Sequence, residues 1–162
     1  VLVQSQGFVR YKQAEYAKKG WDEVMDININ SVMHTATKFK PMLSAAKGAI
    51  VIVSSVSGLQ ANIGNPAYAA SKAAAISLTK TLGQSWARDG IRVNGLAPGL
   101  VPTKLTAVTT QNKERAEASL RAIPVRRLGT PEEMAGAAMF LASPLASYVQ
   151  GHTLIADGGL TL

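Results

Sequence analysis

Five consecutive apolar residues, Ala49-Ile50-Val51-Ile52-Val53, follow Gly48 and run directly into Ser54-Ser55. A strand with one wet face alternates apolar and polar residues, whereas an unbroken β-branched run suits a strand covered on both faces, the usual state in a parallel sheet. Parallel strands need crossover connections, and helical patterns flank this one on both sides. From Trp21 to about Ala46, apolar residues recur at helical spacing through Val24, Ile27, Val32, Ala36, Phe39 and Leu43, which predicts one long helix bent near Pro41. A second helix is predicted from Pro66 to about Asp89-Gly90. Ile91 to Leu96 reads as a second buried strand, broken by Ala97-Pro98-Gly99. The alternation defines an α/β class with a parallel sheet.

The rest of the chain fits this frame. Val1 to Val3 reads as the end of a buried strand, followed by the turn Gln4-Ser5-Gln6-Gly7, and Phe8 to Gly20 is expected to wander over the surface. Between Leu100 and Arg127 the only helical pattern is Lys113 to Ala122, and such a long, weakly structured excursion suits a lid. Thr130-Pro131-Glu132-Glu133 is a capping signal, with Thr130 as N-cap and Glu133 reaching back, for a helix ending near Ala142. Gly151 to Ala156 makes a last strand. With 162 residues and no linker, repeat or low-complexity tract, one domain is expected.

Composition narrows the function. There are no cysteines, which removes disulfides and thiolate metal sites and suits a reducing, cytoplasmic setting. His34 and His152 lack partners at metal-ligand spacing, so no metal is expected. The net charge of +7 is dispersed over Lys18-Lys19, Lys38, Lys40 and Arg126-Arg127 without interleaved aromatics, which argues against nucleic acid. No apolar run approaches membrane-spanning length. Trp21 and Trp86 read as packing residues.

Tyr68 and Lys72 stand four residues apart at the opening of the second helix, on one face. At roughly 5 Å and an effective dielectric of about 20, an ammonium favours a phenolate by about 3 kcal/mol, or roughly two pKa units. Tyr68 would then serve as a general acid or base. Ser54 and Ser55 end the Ala49–Val53 strand, where open α/β sheets place their ligands. Each residue also has a plainer role open to it: Ser55 capping a loop, Asn28 facing solvent, Pro98-Gly99 making a turn, Thr103 capping the segment after it.

The set of motifs resembles the short-chain dehydrogenase/reductase family over nearly the full chain. Tyr68-Ala-Ala-Ser-Lys72 matches its YxxxK motif, with Ser55 thirteen residues earlier and Asn28 twenty-seven before that, at the family's spacing. Asn94-Gly-Leu-Ala-Pro98-Gly99-Leu-Val101-Pro-Thr103 is similar to the segment that runs under the nicotinamide. Arg127 to Glu133 and Gly151 to Gly159 are similar to the C-terminal signatures.

The resemblance implies hydride transfer between NAD or NADP and a small-molecule carbonyl or secondary alcohol. Tyr68 would exchange the proton, Ser55 would bond the substrate oxygen, Lys72 would lower the Tyr68 pKa and bind the ribose, and Asn28 would hold a water linking Lys72 to solvent. Gly7, Pro98, Gly99, Val101 and Thr103 would line the cofactor. The stretch Ala122 to Gly129 is similar to members acting on 3-oxoacyl thioesters or sugar-acid ketones, and a homo-oligomer, a dimer or tetramer, is implied.

Residues 1–162 would then form the second half of a doubly wound Rossmann-type domain. The family's glycine-rich phosphate turn is absent from this sequence, and so is the residue that selects NAD or NADP. Leu2 to Gly7 is similar to the family's LVNNAG, with Gln4 and Ser5 at two positions where asparagine is usual. The contrary reading is a catalytically silent binding or assembly module that keeps the scaffold; the missing phosphate turn favours it and the Asn28, Ser55, Tyr68, Lys72 set opposes it.

Overall fold

The computed structural model describes all 162 residues. Four parallel strands, β1 (Leu2–Gln4), β2 (Ala49–Val53), β3 (Arg92–Pro98) and β4 (Thr153–Ala156), lie side by side in chain order. The register pairs Leu2 with Ile50, Val53 with Leu96, and Pro98 with Ala156. Six helices connect them: α1 (Lys18–Met25), α2 (Ser31–Ala45), α3 (Pro66–Trp86), α4 (Ala107–Thr110), α5 (Lys113–Ala122) and α6 (Pro131–Ala142).

Helices cover both faces, which is why β2 tolerates no polar residue. Ile50, Ile52 and Val93 point into one core with Val32, Ala36 and Leu43 of α2 and Ala75, Leu82 and Trp86 of α3. Val51 and Leu96 point the other way, against Leu141 of α6 and its apolar neighbours. Each Val, Leu or Ile among them stabilises by about 1.5–3 kcal/mol through burial. α6 opens on the predicted capping box: the Thr130 hydroxyl accepts from the Glu133 N–H, and the Glu133 carboxylate accepts from the Thr130 N–H.

Three expectations are corrected. The long helix begins at Lys18, three residues before Trp21, and is interrupted at Asp26–Asn30 by a wider π-type turn. β3 continues through Pro98, because a proline at the end of the ladder needs no N–H there, and Gly99 takes up the bond to Ala156. The Phe8 to Gly20 segment does not simply wander: Ala14–Tyr16 form a short 3-10 turn, and Glu15 within it is fully buried. Trp86 packs in the core as expected, whereas Trp21 stays 39% exposed.

Candidate active site

The carboxyl ends of β1, β2 and β3 open into a cleft of about 1150 Å³ between the α3 N-terminus and the excursion that carries α4 and α5. Ser55, Tyr68, Lys72, Gly7, Pro98, Gly99, Val101 and Thr103 all line it. Asn28 does not line it.

Lys72 reaches the cleft from the second turn of α3, almost fully buried. Its ammonium donates to the carbonyl oxygens of Val53 at 2.9 Å and Gln6 at 3.3 Å. An ammonium has three donors, so one remains for a ligand. Burial lowers its pKa from the ordinary 10.5 to about 8. The helix itself is pinned nearby: the Ser54 hydroxyl donates to the Lys72 carbonyl at 2.7 Å. Gly58 lies so close to α3 that a Cβ there would sit 2.6 Å from the Lys72 carbonyl carbon. Only glycine permits that approach.

Tyr68 differs from expectation. Its pKa is raised, first by burial and then by Tyr11 and Glu15, while the Ser55 hydroxyl pulls it down. The Lys72 ammonium stands over the ring, 5.8 Å from its centre, with two donors held by backbone carbonyls, and does not outweigh the burial. Ser55 caps a loop, as its plainer reading expected, and also lines the cleft. Its hydroxyl faces that of Tyr68, and it also accepts from the Ser57 N–H at 3.1 Å, capping the Val56–Gly58 turn.

Asn28 faces no solvent. It occupies the π-type turn, completely buried, and its amide accepts from the Phe8 N–H at 2.7 Å and donates to the Phe8 carbonyl at 2.9 Å and the Ser71 hydroxyl at 3.0 Å. Ser71 donates in turn to the Tyr68 carbonyl at 2.8 Å. Both amide hydrogens are therefore committed, which leaves the side chain only acceptor capacity on Oδ1 for any relay.

The Gln4-Ser5-Gln6 turn keeps its anchorage by another route: the Gln6 amide donates to Gln4 at 3.2 Å and to Ser31 of α2 at 3.1 Å. The Gln4 Nε2 is buried without a partner. Thr103 pairs with Thr106, whose hydroxyl accepts from the Thr103 N–H at 2.9 Å and donates to the Val101 carbonyl at 2.6 Å. At Gly99 a Cβ would meet the Asp157 Cα at 2.7 Å, so this turn too requires glycine.

Sequence reasoning missed Glu15, Ser71 and Tyr11. Tyr11 lines the cleft and donates from its hydroxyl to the Leu105 carbonyl of the excursion. None of the three stands in a pattern that spacing alone reveals.

A family model described as Enoyl-(Acyl carrier protein) reductase matches residues 1–161. The chain belongs to the short-chain dehydrogenase/reductase family. It is 36% identical over 162 residues to the 2-dehydro-3-deoxy-D-gluconate 5-dehydrogenase of Dickeya dadantii, covering 98% of this chain and 64% of that protein. It is 39% identical to a 3-oxoacyl-[acyl-carrier-protein] reductase of Chlamydia pneumoniae, covering 99% and 65%. Among solved structures, a gluconate 5-dehydrogenase from Burkholderia cenocepacia in complex with NADP and tartrate superposes with a TM-score of 0.94 at 34% identity, covering 99% and 64%. The chain thus spans just under two thirds of the length of these relatives.

Proposed function

We propose that this chain is the catalytic, C-terminal part of an NAD(P)-dependent oxidoreductase domain that interconverts a carbonyl and a secondary alcohol. The observation that carries the reading is the convergence of Tyr68, Ser55 and Lys72 on one cleft at the carboxyl edge of a parallel sheet. The relatives' share of length and the unpaired edge of β1 support a larger sheet to which this half belongs.

The residues present fit a nicotinamide dinucleotide. Lys72 keeps one free donor for a ribose hydroxyl, and Gly7 lies beside it, where a Cβ would stand 3.7 Å from the Lys72 ammonium nitrogen. Pro98, Gly99, Val101 and Thr103 line the same cleft. Such a cofactor supplies or removes the hydride when bound. In the direction of reduction Tyr68 gives its proton to the substrate oxygen, to which Ser55 donates a hydrogen bond. The resulting phenolate is stabilised by the Lys72 charge. In the direction of oxidation the phenolate takes the proton back from the alcohol.

Lys72 and Lys104 are the charged groups that line the cleft, and no carboxylate does. This favours acidic ligands, in keeping with a sugar-acid ketone or a 3-oxoacyl thioester as substrate. Assay of NAD- and NADP-linked turnover against a panel of aldonic acids, polyols and 3-oxoacyl thioesters tests the reading. Turnover of one class supports it, and none with any class opposes it.

The same reading includes a homo-oligomer, a dimer or tetramer, in the cytoplasm. Exposed Met33, Phe39 and Met42 on α2, and Phe140, Ile155 and Leu162 around β4, offer apolar surface for subunit contacts. No helix is long and apolar enough to cross a membrane. Native mass measurement distinguishes these assemblies from a monomer.

A further inference from the structure

Glu15 is completely buried, yet no lysine, arginine or histidine pairs with it. One carboxylate oxygen accepts from the Arg10 backbone N–H at 3.0 Å and from the Asn65 amide at 3.4 Å; the other accepts from the Tyr68 backbone N–H at 2.9 Å. All its partners are N–H donors. Asn65, the residue just before α3, makes no side-chain bond to the helix, so the third N–H of α3 is capped from a segment 53 residues away. A carboxylate at the positive end of a 21-residue helix is favourably placed, but burying it without a cationic partner is costly, a cost that a local Ser cap would avoid.

What it does is specific to Tyr68. The same carboxylate fixes the backbone that carries the phenol and the Phe8–Gln13 loop, whose Tyr11 borders the cleft. We propose that Glu15 is the positioning residue for Tyr68, holding the phenol at its working height opposite Ser55 and keeping a negative charge behind it. The charged and titratable groups around Tyr68 are Lys72 over its ring, Tyr11 from the loop and Glu15 from the 3-10 turn. Of these, Tyr11 and Glu15 favour the protonated phenol, the form that donates in carbonyl reduction. The kinetic part of this inference rests on the oxidoreductase reading; the titration part does not.

The test compares wild type, Glu15→Gln and Glu15→Asp in the full-length protein, with tyrosines carrying ¹³C at Cζ and Tyr68→Phe used to assign the signal. Gln keeps the shape but removes the charge and turns an N–H toward an N–H. Its Tyr68 titration midpoint is expected to move to lower pH, and kcat for carbonyl reduction to fall about tenfold or more with the dinucleotide KM little changed. Asp keeps the charge but is one methylene short. It is expected to hold the wild-type midpoint while kcat falls. Coinciding midpoints in Glu15→Gln and wild type, or a change confined to thermal stability, overturn the proposal. Should the Gln variant not fold, wild-type kcat in Glu15→Asp overturns it. If no protein in the series turns over, the oxidoreductase reading has failed, and the midpoint shift alone decides the role of Glu15.

Discussion

The ammonium of Lys72 donates to the carbonyl oxygen of Val53 over 2.9 Å, which fixes a buried cation at the end of the second strand. Burying this charge lowers stability. Its folded pKa of about 8 lies below the unfolded value of 10.5, so between these values the unfolded chain binds the extra proton. Stability from this group is therefore lowest below pH 8 and rises as pH climbs toward 10.5. Urea titrations are expected to show wild type gaining about 2–3 kcal/mol between pH 8 and 10 relative to Lys72→Met, which lacks the group. The window stops at pH 10 because the raised Tyr68 pKa acts in the opposite sense above it. A constant difference across that range contradicts the buried-charge account. If Lys72 acts as proposed, carbonyl reduction is expected to decline as pH rises, with an apparent midpoint near pH 8.

Gly58→Ala is expected to damage catalysis through the backbone alone. Its new methyl meets the Lys72 carbonyl carbon at 2.6 Å and the Ala73 nitrogen at 2.7 Å, atoms that cannot rotate away. A loss of about 1–3 kcal/mol in stability is expected, with a fall in kcat as α3 shifts from Ser55. Wild-type stability and kcat in Gly58→Ala contradict the close approach.

Arg92 ends its guanidinium among four carbonyls, Leu141 at 2.8 Å, Ala142 at 3.0 Å, and Ser143 and Ala146 at 3.1 Å. It thus closes the C-terminus of α6 against the sheet. Arg92→Ala is expected to lose about 2–4 kcal/mol in urea unfolding while leaving the Tyr68 titration in place. A loss below about 0.5 kcal/mol shows that water replaces it freely.

How much of this was legible depended on whether the signal was local. The β2 run and the Thr130 capping box follow from neighbours in sequence, and both stand where expected. Tyr68, Ser55 and Lys72 were found because spacing and residue type coincide with a family pattern. The π-type turn at Asp26–Asn30 was invisible because it preserves the apolar spacing on either side. Glu15 was invisible because a lone glutamate among polar residues reads as solvated, and its partner at Tyr68 is set only by the tertiary fold. The expectation that Lys72 lowers the Tyr68 pKa considered one pair in isolation. Burial, which no single-sequence argument sizes, proved the larger effect.

The most direct measurement of the central claim is single-turnover formation of reduced nicotinamide by the full-length protein and its Tyr68→Phe variant, on the substrate the panel identifies. With Tyr68 as proton carrier, the variant is expected to bind dinucleotide as wild type does and to lose at least about a hundredfold in rate. A variant that reduces and oxidises at the wild-type rate contradicts the assignment of Tyr68, and with it the site described above.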